Sequence, residues 1–475
     1  MERAQAEAIV AADRELAVSL LVQLDAVIAQ NAELVERNSA LERRVDELER
    51  RAKRSSRTSH QPPSADGPGA PRRPAKPPSE RQRGGQPGHD GHHRALCAAP
   101  DLVVEVLPVV CAGCGAPLAA GSVIGARRHQ VWEIPAPQAR VSEHRLVVCQ
   151  CGCGTRTTAS LPVGVPAGMF GANLEAAIVG LSLSERVSRR RVCEVVEELC
   201  GVTIGLGTID RVLARSAHRL TAALAQIDAE IRTAAVLNVD ETSWAEAGKK
   251  AWAWAATTPR AVRLRLEYSR GRVSCHALIG ETPAGIITTD RFGAYNHLPL
   301  SQRQICWAHL ARDFRDVSER PGRVGQIARR LVAETSSMFN AYKQHRHHRT
   351  ALNEAITPIR ARIDDDLDLL ARCGEDTQAA EFALNLLVLN DALWTFVNNP
   401  AVEPTNNAAE RVLRPLVIHR KTSYGTNTAH GSRIYETLQS IIQTLRLQHA
   451  NVYAWLRDAL TAANHHRPLP AIIPP

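Results

Sequence analysis

The residues of greatest chemical interest are acids that end apolar runs. In VLNVDETSW, residues 236–244, a strand-like stretch delivers two adjacent carboxylates, Asp240 and Glu241, and in GIITTDRFGAY, residues 285–295, a second apolar run ends at Asp290. A charge leaving a packed sheet is costly unless water, a cation or a metal takes it up. Carboxylates are hard oxygen ligands suited to magnesium or manganese, and two such ions about 3.5–4 Å apart activate a nucleophile and stabilise the leaving oxygen in phosphoryl transfer. A third acid is then wanted. Glu410, in EPTNNAAERVLRPLVIHRK (403–421), is the candidate: Thr405 or Asn406 can cap a helix that runs to about Arg414, before Pro415 disturbs it. On that helix Glu410 borders an apolar arc of Ala409, Val412, Leu413, Leu416 and Val417, so its carboxylate can pack beside a sheet and still face a cleft. Glu436 lies in the same region but on a separate amphipathic helix, SRIYETLQSIIQTLRL (432–447). Taken singly, each acid also suits a turn or a solvated helix face; their order is what points to a site.

The elements around the acids must bring them together. After Asp240 come AWAWAATTP (251–259) and AVRLRLEYS (261–269), two short runs split by a proline-containing turn, which predict a three-stranded meander. A helix around 272–281 and the strand ending at Asp290 then place Asp240 and Asp290 at one edge of a mixed sheet. The separation of Asp290 from Glu410 is too long for one crossover, which predicts an insertion. Residues 319–402 read as helical, with ARRLVAETSSMFNAYKQ and EFALNLLVLNDALWTF as amphipathic or buried segments. Just before them, CWAHLARDF sets Cys306 and His309 three apart beside Arg312 and Arg315. Two ligands are too few for zinc, so packing and phosphate-facing arginines are the reading.

The N-terminal half carries different signals. Leu20, Val27, Leu34, Leu41 and Leu48 fall seven apart, with Ala17, Leu24, Asn31, Asn38 and Val45 on the companion positions, a coiled-coil seam whose asparagines fix register and favour a paired state. From Arg50 to Arg94 the chain is rich in Pro, Gly and Ser and strongly basic, a flexible linker suited to phosphate contacts or to serving as a solubilising tether. CAGCG (111–115) and CQCGCG (149–154) are two Cys-Gly knuckles separated by the strand-like runs VIGARRHQVWEIP and ARVSEHRLVVC. Cys111 and Cys114, with two of Cys149, Cys151 and Cys153, suit a structural tetrahedral zinc. Residues 171–234 read as helices, and RRRVCEVVEELCGVTIGLGTIDRVLARSAHRL has the form helix, short glycine-containing turn, helix, which sets Thr208, Asp210 and Arg211 on a candidate recognition helix or else belongs to a plain bundle.

Composition bounds these readings. A chain of 475 residues predicts roughly three or four domains. The net charge of +9, unevenly placed, points to a polyanionic partner. Eleven cysteines, five of them bunched, fit thiols and a metal site in a reducing cytoplasm better than a secreted disulfide framework. No apolar run reads as long enough to span a bilayer, and acids interrupt the region where a signal peptide would be apolar, so neither membrane anchor nor export signal is expected.

The chain resembles the bacterial transposases of the insertion sequence 66 family, of the DDE type. The resemblance runs through the N-terminal heptads, SSRTSHQPPSAD, GGQPGHDGH, the paired knuckles, VDETSW with WAWAATTP, TTDRFGAY, CWAHLARDF and NNAAERVLRP. Two stretches depart from the family pattern: CQCGCG is not a simple C-x2-C, and HRKTSYGTNTAHGSR lacks aromatic character expected of relatives. The resemblance implies a multidomain α/β protein whose catalytic core is a ribonuclease H-like mixed sheet with a helical insertion. It implies that Asp240, Asp290 and Glu410 hold magnesium or manganese, that DNA is cut at element ends and joined to target DNA, and that companion proteins of the same element take part.

The expected organisation is a coiled coil over 1–54, the basic linker over 55–96, a zinc-binding module over 97–160 and a helix-turn-helix region over 161–234. The core follows over 235–318, the insertion over 319–402 and the rest of the core with C-terminal helices over 403–475. Arg411, Arg414, Arg420 and Lys421 are candidate phosphate contacts, and the zipper implies a homodimer or higher assembly. Two other readings stand beside this one: a non-catalytic zipper and zinc DNA-binding regulator, which leaves the three acids without a purpose, and a structure-specific nuclease on the same fold.

Overall fold

The computed structural model describes residues 3–12, 14–53, 94–119, 121, 123–135 and 137–474. The basic linker expected over 55–96 therefore lies outside the described residues except for 94–96. Residues divide into two compact units, one of Met1–Arg72, Ala217–Ala459 and Pro468–Pro475, the other of Arg73–Ser216 and Leu460–Arg467.

In chain order the helices are α1 (Arg3–Ala12), α2 (Arg14–Lys53), α3 (Ala172–Val179), α4 (Arg189–Cys200), α5 (Leu206–Arg219), α6 (Thr221–Thr233), α7 (Arg272–Ile279), α8 (Trp307–Ser318) and α9 (Gly322–His345). They continue as α10 (Arg349–Ala371), α11 (Thr377–Val388), α12 (Asn390–Leu393), α13 (Thr395–Asn398), α14 (Asn407–Ser423), α15 (Ala429–Leu447) and α16 (Val452–Asn464). The strands are β1 (Val148–Gln150), β2 (Arg156–Thr158), β3 (Val236–Glu246), β4 (Lys249–Thr257), β5 (Val262–Glu267), β6 (Ile286–Thr289) and β7 (Arg303–Ile305).

The larger sheet has the order β5-β4-β3-β6-β7. The first three strands are the antiparallel meander, and β6 and β7 run parallel to β3. β3 and β4 join through Ala247 and Gly248, both at positive φ (50° and 76°), the two-residue turn whose twist matches paired strands. β4 is buried on both faces from Ala253 to Thr257, as a central strand must be.

Both sheet edges are sealed by side chains. Along β5, the backbone N–H groups of Leu266, Leu264 and Val262 donate to Glu436 (2.7 Å), Ser440 (3.0 Å) and Thr444 (2.9 Å) on α15. Four helical residues rise about 6 Å and two strand residues about 6.6 Å, so side chains four apart can follow every second N–H. Along β7, Gln304 accepts from Phe396 N–H (2.8 Å) and donates to Leu393 C=O (3.0 Å). Between β7 and α14, helices α8 to α13 build their own core around Trp307, Phe314, Leu331, Met338, Leu367 and Phe396. The helical stretch 377–398 is broken into α11, α12 and α13 where the sequence suggested one segment.

In the other unit, α4 is capped by the Ser188 hydroxyl and ends at Gly201 with φ 66°, after which α5 begins: a helix, a turn and a helix. The runs expected as strands over 123–135 and 139–149 carry no strand until β1, and their side chains are mostly exposed. Local alternation does not make a strand where no partner supplies the ladder.

α2 is continuous through the heptad region, and Leu20, Leu24, Val27, Leu34, Leu41, Val45 and Leu48 are exposed on it. The helix is thus present, and among the described residues the seam is left uncovered from Leu20 onward, while Ala17 is buried. By length and composition alone Glu15–Glu42 could cross a membrane, contrary to the expectation from the sequence, because its apolar residues outweigh widely spaced acids. The heptad seam accounts for the same residues without a bilayer.

Candidate functional site

The two aspartates meet through strand register. β3 and β6 pair Val236 with Ile286, Leu237 with Ile287 and Asn238 with Thr288, and two residues further along the same register come Asp240 and Asp290. They sit at the C-terminal end of β6, beside a strand that continues, on neighbouring positions about 5 Å apart in the backbone. Alternation sends Glu241 to the opposite face of β3. There it is buried, accepting from Arg270 (2.8 Å) and from the Tyr295 hydroxyl, with the Arg270 guanidinium lying on Trp252 (4.6 Å) and Phe292 (3.8 Å). The side-by-side carboxylates of the sequence therefore serve two faces.

Asp240 accepts the N–H of Glu241 (2.9 Å), and Asp290 accepts that of Phe292 (2.9 Å). Burial, then the charges of Glu241, Asp290 and Glu410, raise Asp240 well above the usual carboxylate range. Burial, then Asp290, raises Glu241 as well. Behind Asp290 lies a buried cation that sequence reasoning missed. Arg303 donates to the Asp290 carbonyl (3.1 Å), and burial pulls its guanidinium down to about 10. A lone Arg in β7 gives no local signal of this role.

Glu410 is in the first turn of α14, about a third exposed, with Arg312 at 3.2 Å and His309 at 3.7 Å from its Oε1. Arg312 is thus committed to Glu410, a correction to its reading as a phosphate-facing residue. Asn406 sets where α14 starts. It is fully buried, and its amide donates to Val239 C=O (2.7 Å) and accepts from Asn238 (3.0 Å). Its backbone N–H donates to Cys306 Sγ (3.1 Å), and its carbonyl accepts the N–H of Glu410 (3.2 Å). One residue therefore ties the strand bearing Asp240 to the helix bearing Glu410. Asn406 stands at the N-cap, but its side chain does not cap. Pro415 does not end the helix, which runs through it to Ser423; the proline forfeits one backbone bond, and packing on the sheet through Val412, Leu413 and Leu416 offsets the loss. Cys306 is buried, raised to about 11 chiefly by burial, and used for packing.

Glu436 belongs to the β5 edge described above. Of the expected phosphate contacts, Arg411, Arg414 and Lys421 are exposed, whereas Arg420 is half-buried and bonded to the carbonyl and hydroxyl of Ser243. Asp210 and Arg211 are exposed on α5 and Thr208 half-buried; Asp210 pairs with Arg189 (3.0 Å) and Arg211 with Thr208 (3.2 Å).

All-oxygen donors suit a hard divalent cation, and the charges of Asp290 and Glu410 add to burial in raising Asp240. Among the described residues, however, no three His, Cys, Asp or Glu side chains are gathered closely enough to hold a metal ion as they stand. For the three acids, Arg312 holds Glu410. The same lack of a gathered group holds for the cysteines expected to bind zinc. Cys111 and Cys114 lie on a turn ending at Gly115 (φ 73°), while Cys149, Cys151 and Cys153 lie on or beside a turn ending at Gly154 (φ 86°). Each turn closes its own hairpin, and the five thiols do not converge. Cys153 is lowered to about 7, first by the Thr155 hydroxyl.

A multidomain α/β protein with a mixed sheet, which sets carboxylates at matching positions of two adjacent parallel strands, is the class these features define. A family profile described as Transposase IS66 family matches residues 167–434, more than half the chain, and a family of unknown function matches residues 7–95. The chain belongs to the IS66 transposase family. Two uncharacterized proteins of Sinorhizobium fredii (strain NBRC 101917 / NGR234) are similar: y4qI at 26% identity over 45% of this chain and 43% of its own length, and y4jD at 24% over 37% of each. The chain spans less than half the length of these curated relatives.

Proposed function

We propose that this transposase cuts a phosphodiester at the end of a mobile element and joins the freed 3′-hydroxyl to target DNA, both steps at the Asp240, Asp290 and Glu410 site. The observation that carries the reading is the shared register of Asp240 and Asp290, with Glu410 tied to the same strand through Asn406. The strand order, an antiparallel meander followed by two strands parallel to its first, supports a ribonuclease H-like core of the DDE type. Asp240, Asp290 and Glu410 would hold magnesium or manganese, which when bound supplies charge neutralisation for the scissile phosphate and lowers the pKa of water. The chain's own residues orient that centre. Asn406 fixes the helix, Arg303 holds the Asp290 carbonyl, and Arg312 steadies Glu410.

DNA is the proposed partner, with Arg411, Arg414, Lys421 and the exposed face of α5 as phosphate and groove contacts. Pairing of two chains along the α2 seam would bring two ends together, with companion proteins of the same element assisting. The proposed compartment is the cytoplasm, in keeping with eleven free thiols. A structural zinc would require the two cysteine hairpins to close on one ion. The test of the reading is a strand-transfer assay with the element's own ends: joined product that depends on magnesium is expected, and cleavage without joining would reduce the protein to a nuclease.

A further inference from the structure

Tyr424 is an exposed aromatic held in a costly backbone conformation. It follows α14 at φ +60°, in the left-handed region that suits glycine or asparagine at a helix end, and is 84% exposed. The loop that carries it is fixed. Tyr424 N–H donates to Arg420 C=O (2.9 Å), and Thr426 exchanges bonds with Ala245 C=O (3.0 Å) and Ala247 N–H (2.8 Å). Trp244 Nε1 donates to the Thr426 hydroxyl (3.2 Å), and Gly425 leaves no room for a Cβ, which would meet Ala245 O at 2.1 Å. An exposed ring needs no such support to be tolerated, and a glycine would relieve the strain.

The place of the loop gives the ring a use. β4 occupies one edge of β3 from Asn238 to Glu246. On the other edge β6 pairs only as far as Asn238, and Thr426 forms a parallel bridge with Glu246. Among the described residues no strand pairs with the edge between; Asn406 bonds Val239 C=O, Arg420 bonds Ser243 C=O and Thr426 bonds Ala245 C=O, so α14 runs beside it, with Asp240, Asp290 and Glu410 near its start and Tyr424 at its far end. Six strand residues span about 20 Å, the length of about six nucleotides.

We infer that Tyr424 is a stacking post for an unpaired base of the DNA strand that runs beside α14 from the acids, with the exposed Arg411, Arg414 and Lys421 along its backbone. The inference rests on the transposase reading and adds the single-stranded character of the DNA next to the cut. A base stacked on an aromatic ring contributes enough that its loss weakens binding by roughly tenfold.

The test uses the full chain, a fluorescein-labelled 30-nucleotide single strand and the matching duplex, with anisotropy as readout. Tyr424→Ala should bind the single strand about tenfold more weakly and the duplex as before, and Tyr424→Phe should bind both like the parent. Tyr424→Gly should lose single-strand affinity while melting about 2–8 °C higher, because it relieves the left-handed strain. Parental affinity in Tyr424→Ala, equal losses on both DNAs, or no single-strand binding by the parent would each overturn the inference. Failure of the transposase reading shows separately, as magnesium-dependent cutting that survives Asp240→Asn.

Discussion

Asn406→Ala is the perturbation that separates this account from one in which Glu410 is simply a surface acid. The substitution removes both amide bonds, to Val239 C=O and from Asn238, while the backbone bond to Cys306 Sγ remains available. A buried carbonyl left without a donor costs about 1–3 kcal/mol and a lost hydrogen bond about 1 kcal/mol, so the loss should total about 2–4 kcal/mol. At about 2–4 °C per kcal/mol for a unit of this size, the melting temperature should fall by roughly 4–16 °C. The functional loss should be larger than the stability loss suggests, since a displacement of about 1 Å in a catalytic group costs on the order of a hundredfold in rate. Circular dichroism melts, DNA anisotropy and magnesium-dependent nicking of supercoiled plasmid, all well below the melt, report the three quantities. Asn406→Asp keeps the acceptor for Asn238 but offers no donor to Val239, and should behave similarly. If Asn406→Ala nicks at the parental rate despite a lowered melt, Asn406 only stabilises the fold and the reasoning fails.

Because burial and neighbouring acids raise Asp240, the stability it contributes is complete below the ordinary carboxylate range and is lost as pH rises through the raised value. Metal-free protein should therefore melt higher near pH 5 than near pH 8, and Asp240→Asn should flatten that dependence and raise the melt at pH 8; an unchanged profile would count against the crowded site. Ser440→Ala leaves the N–H of Leu264 unpaired on the β5 edge and should cost about 1–3 kcal/mol with no loss of DNA binding, measured by chemical denaturation. Replacing Leu34 and Leu41 with Pro should convert a dimer to monomers in light scattering, and an unchanged mass would rule out pairing through α2. Metal analysis of reduced protein should give about one zinc per chain, lost on Cys114→Ser; a folded sample without zinc would leave the cysteine hairpins separate, as they stand here.

The meander and the strand leading to Asp290 were legible because apolar runs of strand length are bounded by turn residues, and the pairing of Asp240 with Asp290 follows once the two strands are adjacent. The insertion was legible from separation alone. What stayed hidden depends on contacts far apart in sequence. Asn406 looks like a helix cap, and only β3 shows that its amide is spent on Val239. Arg312 looks like a phosphate contact until α14 brings Glu410 to it, and Arg303 has no signature at all. In the cysteine region the alternation over 123–135 and 139–147 resembled strands, but pairing needs a partner that the described residues supply only from Val148. Pro415 misled for a similar reason, since tertiary packing along α14 outweighs one missing helical bond.

The most direct measurement of the central claim compares Glu410→Gln with Glu436→Gln in magnesium-dependent cleavage, with Asp240→Asn and Asp290→Asn alongside. Glu436 accepts from the backbone of β5 and pairs with Arg433, so its amide variant should lower the melt and still cut. The account predicts that Glu410→Gln, Asp240→Asn and Asp290→Asn keep folding and DNA binding and lose cleavage. A Glu410→Gln protein that cuts at the parental rate, with Glu436→Gln folded but inactive, would contradict it.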